Sequence, residues 1–270
     1  MRLGDEFGGY ARQVEAGAAR IRKALEDMYE LPLGGTAVGT GLNAPAGFAA
    51  GTIRLLAERT GLPLREARNH FEAQAAKDAV CFLSGALRTW AVAFTKIAND
   101  IRWLGSGPRC GLGELRLPET QPGSSIMPGK VNPVIAESAV MACAQVIGND
   151  ATIAWCAAAG NFELNVMMPV IAYDLLESIR LLAASSRNFL EKLVRGLEAD
   201  RERIESYIEQ SLALVTALVP EIGYEKSAAF AKQAWKTGQT VREVARETSG
   251  IAEQRLTELL DPEKQAGGKR

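Results

Sequence analysis

Apolar residues recur every three or four positions over four long stretches of this sequence, which is the spacing of one face of an α-helix. The stretches are Phe7 to Met28, Ala75 to Leu104, Val134 to Ala158 and Met167 to Val194. Three aromatic residues of the second stretch share its apolar stripe and are expected in the core: Phe82, Trp90 and Phe94. Such stretches exceed the usual length of a globular helix, and long helices joined by short links pack side by side. The sequence therefore predicts an all-α fold built on a long-helix bundle.

The composition of the sequence changes after Gly196. The region from Asp200 is more charged, and turn-forming residues divide it into shorter helical segments: Pro220, Gly223, Gly238 and Gly250. We therefore expect two domains. A central helical bundle covers residues 1–199, and a small C-terminal helical domain covers residues 200–270.

The composition argues against two classes of partner. Apolar residues make up 47% of the chain and charged residues 23%, which is ordinary for a globular protein. The formal net charge of −1 provides no attraction for nucleic acid or for an acidic membrane surface. We expect neither as a partner.

Cysteine and histidine usage argues against disulfides and zinc. The four cysteines are widely separated, and none forms a C-x-x-C pair: Cys81, Cys110, Cys143 and Cys156. The only histidine, His70, lies in a polar segment, which favours a solvated or helix-capping role. We expect a reduced, cytoplasmic compartment and no metal site.

No segment has the pattern of a signal peptide, because the N-terminus turns acidic where an apolar core should begin. The stretch from Val134 to Ala159 comes closest to a membrane span. It is interrupted by four polar residues: Glu137, Gln145, Asn149 and Asp150. We therefore expect a soluble chain.

Glycines are concentrated between Gly34 and Asn43. This stretch lacks both the G-x-G-x-x-G order of a dinucleotide site and the Gly-Lys-Ser/Thr ending of a phosphate loop. Two interpretations remain open. The loop is either a tight connection where backbones approach closely, or part of the lining of a ligand pocket.

Residues 105–133 form the longest connection in the chain, and a connection of that length in a compact domain is usually functional. Its end, Pro122 to Pro133, combines glycines, prolines, two serines, a lysine and an asparagine. Backbone N–H groups in a glycine-containing turn form an anion-binding concavity, and Lys130 and Asn132 add a charge and directional donors.

A serine held among such donors can be stabilised as an alkoxide and can serve as a base. It need not be a nucleophile. A Ser-His-Asp hydrolase is disfavoured, because the Gly-x-Ser-x-Gly pattern is absent. The remaining interpretation is a loop that only turns the chain and caps the helix beginning at Val134.

The segment Gly123 to Pro133, with the sequence GSSIMPGKVNP, resembles the signature of the fumarase/aspartase superfamily. Further stretches resemble class II fumarases, so that the resemblance spans essentially the whole chain: Gly34–Asn43, Lys96–Leu104, Ser106–Gly111, Gly160–Val166, Leu214–Leu218 and Ile222–Tyr224.

The resemblance implies an activity and an assembly. Class II fumarases reversibly add water to fumarate to give L-malate, a step of the tricarboxylic acid cycle, without a metal or an organic cofactor. Their long helices form the common core of a homotetramer, and each active site draws residues from several subunits. The family also carries a region before the position that matches Met1, including a catalytic histidine, so we expect this chain to be truncated and incomplete for catalysis.

The resemblance also implies roles for individual residues. Ser124 is the general base on a mobile loop. Four residues bind the substrate carboxylate: Ser125, Lys130, Val131 and Asn132. Glu137 matches the carboxylate that orients the family's histidine, although an acid in the first turn of a helix is also favoured by the helix dipole.

Two alternatives remain. Aspartate ammonia-lyases share the loop and the carbanion chemistry, but they commonly resemble Pro-Ala-Lys where this chain has Pro128-Gly129-Lys130. A non-enzymatic chain that persists only as a helical structural or interaction protein is the other.

Overall fold

The computed structural model describes residues 1–121, 123, 125–129 and 131–267, and most of this part of the chain is helical. The α-helices in chain order are α1 (Leu3–Leu25), α2 (Phe48–Thr60), α3 (His70–Ala75), α4 (Asp78–Leu104), α5 (Val134–Ala158), α6 (Met168–Lys192), α7 (Arg201–Gln210), α8 (Val219–Ile222), α9 (Tyr224–Thr237), α10 (Val241–Thr248), α11 (Glu253–Leu259) and α12 (Pro262–Gln265). The predicted all-α fold class is confirmed.

Strands contribute little to the described part of the chain. Strand β1 (Glu30–Leu31) pairs in parallel with β2 (Arg65–Glu66), and β3 (Leu115–Arg116) pairs antiparallel with β4 (Glu198–Ala199). Short 3₁₀ helices cover Asp27–Tyr29, Val194–Gly196 and Leu212–Leu218. These elements join helices and do not form a separate layer.

The first two long helices, α1 and α4, run antiparallel, and so do α4 and α5. The Tyr10 hydroxyl near the start of α1 donates to Asp100 Oδ2 near the end of α4, at 2.9 Å. Ser84 Oγ near the start of α4 donates to Asp150 Oδ1 in the second half of α5, at 2.6 Å. The alternating directions match a bundle of long helices with antiparallel neighbours.

A short hairpin turns α5 back into α6. Within it Asn161 and Leu164 exchange backbone hydrogen bonds, and Phe162 has a left-handed φ of 53°. The buried Asn165 donates to the Cys156 carbonyl at 3.0 Å and accepts from the Met167 N–H at 2.9 Å. Its amide therefore ties the end of α5 to the start of α6.

The bundle core contains the aromatic residues that the α4 periodicity predicts, with one exception. Phe94 is buried, and its ring packs edge-on against Phe189 and stacks on Trp90. Phe82, which the sequence also placed in the core, is 49% exposed. It precedes the buried Leu83, so it points about 100° away from that side chain around the helix.

By backbone contacts the chain divides into two compact units. One contains Tyr10–Arg102 and Leu117–Leu197 and includes the long-helix bundle. The other contains Met1–Gly9, Trp103–Arg116 and the chain from Glu198. The domain boundary near residue 200 stays a prediction.

The second unit has its own apolar core, formed by side chains of the 3₁₀ helix Leu212–Leu218, of α9, α10 and α11, and of the residue directly after α11: Leu214, Leu218, Phe230, Val244, Leu256 and Leu260. A capping box begins α10, because Thr240 Oγ1 accepts from the Glu243 N–H and Glu243 Oε2 accepts from the Thr240 N–H. The hydrogen bonds that Glu243 Oε2 accepts from the backbone N–H and the hydroxyl of Thr240 lower the pKa of Glu243.

Within the same unit, α7 holds the loop that follows α4. Arg203 Nε and Nη2 donate to the carbonyls of Leu112 and Gly111, at 3.1 and 3.0 Å. Asp200 caps α7 by accepting from the Arg203 N–H, and it also pairs with Arg116. Both interactions lower the pKa of Asp200. The first part of the long connection is therefore ordered by side chains that lie far away in the sequence.

Among the described residues, α4 is the one helix that could cross a membrane by length and composition alone. The expectation that Val134–Ala159 comes closest to such a span is therefore wrong. One face of α4, which includes Phe94 and Ile101, is buried, and the core helix of a globular protein meets the same criterion.

Candidate active site

The segment Pro122–Pro133 leads directly into α5. Four of the six predicted site residues lie in the described part of the chain: Ser125, Val131, Asn132 and Glu137. Ser124 and Lys130 lie outside the described residues, as does Pro122. The roles expected of Ser124 and Lys130 therefore stay predictions.

Asn132 brings the two ends of the segment together. Its Nδ2 donates to the carbonyl of Gly123, the residue directly before Ser124. Its own carbonyl accepts from the Val134 N–H at 2.9 Å, just as α5 begins. Nδ2 carries a second hydrogen, for which the described residues provide no acceptor, so it can donate to a bound anion.

The tip of the segment projects into solvent. Pro128 and Gly129 lie in a turn, and Gly129 has the left-handed φ of 76° that glycine adopts without strain. Ser125 and Ile126 are exposed, and Ile126 keeps 87% of its surface. An exposed loop between rigid helices is the usual position for binding and catalytic residues.

Glu137 lies in the first turn of α5, where the helix dipole favours a negative charge. Arg102, in the last turn of α4, approaches it with Nη2 3.7 Å from Glu137 Oε1. Arg102 Nη1 also donates to Asn99 Oδ1 at 3.0 Å, which fixes the guanidinium against its own helix. The carboxylate is therefore paired with a cation that is itself held in place.

One buried atom of this arrangement lacks a partner among the described residues. Arg102 Nε is buried and donates to no acceptor in the part of the chain that the structure describes. A buried donor without an acceptor is costly, so this atom marks a position where an acceptor would be stabilised.

Sequence reasoning missed Arg102, although it lies within the segment Lys96–Leu104 that carries part of the family resemblance. A signal was present, because an arginine follows the apolar Ile101 near the end of a mainly apolar helix. Which carboxylate it meets depends on how α4 packs beside α5, and periodicity does not specify that.

The glycine-rich loop Gly34–Asn43 is both a tight connection and part of a cavity lining, the two interpretations that the sequence left open. A Cβ on Gly39 would lie 2.8 Å from the Phe71 backbone nitrogen, so the backbones approach too closely for a side chain. Gln74 Nε2 holds the loop by donating to the carbonyls of Thr36 and Ala37. Gly34 and Thr36 also line an apolar cavity of about 700 Å³.

His70 lies beside this loop and is not solvated as expected, since its side chain is only 20% exposed. Its Nε2 is 3.2 Å from the Leu33 carbonyl and 3.3 Å from Glu66 Oε1. Asn69 caps the short helix α3 by accepting from the Glu72 N–H, so the capping role belongs to the neighbour of His70.

Comparisons with known proteins find matches in both the N-terminal and the C-terminal part of the chain. A family model described as lyase matches residues 1–148, and a model of the fumarase C C-terminus matches residues 214–266. Among curated relatives, class II fumarate hydratase of Thermosynechococcus vestitus is 56% identical over 245 residues, which are 91% of this chain and 52% of the relative. Class II fumarate hydratase of Neisseria meningitidis is 53% identical over 262 residues, which are 97% of this chain and 57% of the relative.

Solved structures give the same result. A class II fumarase from Schistosoma mansoni is 40% identical with a TM-score of 0.93, over 99% of this chain and 59% of that one. A fumarate lyase:delta crystallin from Brucella melitensis bound to cobalt is 47% identical with a TM-score of 0.93, over 98% of this chain and 57% of that one. The chain spans about half the length of the curated relatives it matches.

Proposed function

This chain belongs to the lyase family, and we propose that it is part of a class II fumarate hydratase, which reversibly adds water to fumarate to give L-malate. The observation that carries the proposal is identity above 50% to fumarate hydratases over nearly the whole chain. The position of the Gly123–Pro133 segment, closed by Asn132 and followed by the Glu137–Arg102 pair, supports it.

The chemistry needs a base and an anion-binding loop. In the direction from L-malate, a base removes a proton from the carbon next to a carboxylate, and the electron pair moves into that carboxylate. The resulting aci-carboxylate dianion then expels the hydroxyl group on the neighbouring carbon, which leaves as water once protonated. Donors aimed at the developing negative charge lower this barrier.

We assign the base to Ser124, and the carboxylate-binding roles to four residues: Ser125, Lys130, Val131 and Asn132. Lys130 also favours an ionised Ser124. The second hydrogen of Asn132 Nδ2 is a suitable donor for a dicarboxylate. Glu137 orients a histidine supplied from outside this chain. No metal or organic cofactor takes part in this proposal.

We also propose that the chain works as part of a homotetramer in the cytoplasm, with fumarate and L-malate as its small-molecule partners and with neither nucleic acid nor a membrane bound. Large apolar side chains lie exposed along the long helices, and surfaces of this kind mark interfaces: Val92, Met141, Trp155, Tyr173 and Leu176. All four cysteines are free, which suits a reducing compartment.

A chimera tests the activity. The chain replaces the matching part of the Neisseria meningitidis relative, so that the remaining half of that protein is present. We expect fumarate hydration by the folded chimera, and for Ser124→Ala a loss of kcat of about 10²- to 10⁴-fold with little change in KM, because a base acts in the transition state. The isolated chain, assayed in parallel, should be far less active.

Ammonia release from aspartate is measured in the same samples, because the ammonia-lyase shares the loop. Circular dichroism and sedimentation confirm that each variant is folded. A folded chimera that releases ammonia, or that shows no turnover, would refute the proposed activity. Equal losses of affinity and rate in Ser124→Ala would instead make Ser124 a binding residue.

A further inference from the structure

Helix α9 carries an exposed aromatic residue near each of its ends, Tyr224 and Trp235. Tyr224 keeps 76% of its surface exposed and Trp235 keeps 79%. They are eleven positions apart, which is about three turns, so they lie on one line along the helix, about 16 Å from each other. The residues between them on that line, Ala228 and Ala231, are small. The line therefore has a large aromatic side chain at each end and a low floor between them.

The opposite side of α9 attaches the helix to its own unit. Ser227, Phe230 and Ala234 are buried there, and the last two belong to the apolar core of that unit. Neither Tyr224 nor Trp235 makes a side-chain hydrogen bond or a ring contact with another described residue. The packing of the described chain therefore does not explain why two aromatic side chains lie on the outer side of this helix.

Two exposed lysines, Lys232 and Lys236, lie beside the aromatic line. They are four positions apart, so their charges are neighbours on the helix surface and repel each other. The helix dipole favours Lys236, which lies in the last turn, but it does not act on Lys232. Neither lysine forms an ion pair within the described part of the chain, whereas three arginines of the same unit pair with glutamates: Arg242 with Glu209, Arg246 with Glu253 and Arg255 with Glu221.

We propose that this face of α9 binds an acidic helical segment of another protein. The α9 face consists of the aromatic line and the two lysines: Tyr224, Ala228, Ala231, Lys232, Trp235 and Lys236. Apolar side chains of the partner helix lie on the alanine floor between the two aromatic side chains, and carboxylates one turn apart meet the two lysines. This interaction goes beyond the proposed function, and it does not depend on fumarate hydration.

Length and charge favour an acidic helix over other anions. The aromatic line is about three turns long, which exceeds the size of a small anion and suits a helix of similar length. Aromatic anchors with charges beside them are also typical of protein interfaces. Nucleic acid is disfavoured, because two lysines neutralise few phosphates and the chain has a formal net charge of −1.

Fluorescence anisotropy with a labelled synthetic peptide tests the charge requirement. The probe contains two copies of the heptad LEELLEE, and the same peptide with glutamine in place of every glutamate is its uncharged control. The full chain should bind the acidic peptide about tenfold or more tightly than the control. Lys232→Glu should weaken binding by a similar factor, whereas Lys264→Glu, the same change at an exposed lysine on α12, should leave it unchanged.

A charge swap excludes a folding defect as the cause of lost binding. The double variant Lys232→Glu/Lys236→Glu should lose the acidic peptide and instead bind the peptide with lysine in place of every glutamate. The aromatic contribution is measured with Trp235→Ala, which should weaken binding of the acidic peptide about tenfold or more. Trp103→Ala removes another tryptophan, which is 68% exposed on α4, and should have no effect.

The same measurements are made on the chimera, which should bind the acidic peptide as the chain does. Binding by the chain but not by the folded chimera would show that the remaining half of the protein covers the α9 face, and would overturn the proposal. Equal binding of the acidic and uncharged peptides would overturn it as well. So would tighter binding of a labelled single-stranded oligothymidylate, or a loss of self-association in Lys232→Glu/Lys236→Glu, because the partner would then be nucleic acid or a second copy.

Discussion

Arg102 shows how a single side chain links the end of one helix to the proposed site on the next. It contacts Asn99 on its own helix and Glu137 on α5, and its buried Nε has no acceptor among the described residues. Both partners are only partly buried, so the charge–charge attraction itself contributes little to stability. Its main consequence is the orientation of the Glu137 carboxylate.

We predict that Arg102→Gln lowers the kcat of fumarate hydration in the chimera by about 10- to 100-fold, because a small misplacement of a catalytic group has effects of that size. KM should change much less. Arg102→Lys keeps the charge but cannot donate to Asn99 and Glu137 through a planar fork, so it should restore part of the rate.

The matched control is Arg54→Gln, which removes an exposed ion pair on α2 and should leave kcat unchanged. An Arg102→Gln variant with native kcat and a lowered midpoint of thermal unfolding would show that Arg102 has only a structural role.

At the scale of elements, the contact between α1 and α4 depends on a residue without a side chain. Gly17 is buried on α1, and a Cβ there would lie 2.9 Å from Cε3 of the Trp90 ring. That ring stacks on Phe94, so it cannot move aside without disturbing the core. The two helices therefore approach at a distance that only glycine allows.

We predict opposite effects for two glycine substitutions in α1. Gly9→Ala adds a methyl group with no atom within 4 Å, so it should raise the free energy of unfolding by about 0.5–1 kcal/mol through helix propensity. Gly17→Ala has the same propensity gain but overpacks the core, at a cost of about 1–3 kcal/mol, so the net effect should be destabilising.

Urea denaturation of the two variants and the native chain measures both effects. A Gly17→Ala variant as stable as Gly9→Ala would show that α1 and α4 separate without cost, and the packing described for Trp90 would then be wrong.

At the scale of the whole molecule, the stability of the bundle depends on pH through Asp174. This residue is only 9% exposed on α6, and burial, followed by the nearby Glu177 charge, raises its pKa. The raised pKa means that the fold disfavours the ionised form. The penalty is complete above the folded pKa and disappears as the pH falls through it towards the unfolded pKa.

We predict that Asp174→Asn raises the midpoint of thermal unfolding at pH 8, and that the difference from the native chain shrinks as the pH falls to 4. Glu15→Gln, at an exposed position on α1, is the control for removing one charge and should show no comparable trend. A variant less stable than the native chain at pH 8 would mean that the ionised carboxylate is stabilised by a group not identified in this structure.

Prediction from the sequence succeeded where the information is local. The predicted bounds of α5 match the structure, and those of α4 and α6 differ by at most three residues, since apolar period and turn residues act over a few positions. The site loop was identified from its residue types and its resemblance to a family. Phe82 was misplaced because its position at the edge of the apolar stripe is ambiguous without the neighbouring helices.

The amino-acid sequence thus specified the helices, the all-α class, the family and the segment around Asn132. Tertiary structure alone decided that Arg102 meets Glu137, that Asp174 is buried and that Gly17 receives the Trp90 ring. The physical reason is the distance along the chain over which each kind of interaction acts. Helix formation depends on side chains within one or two turns, whereas these contacts join residues far apart in the chain and form only when whole helices pack at a particular distance and rotation.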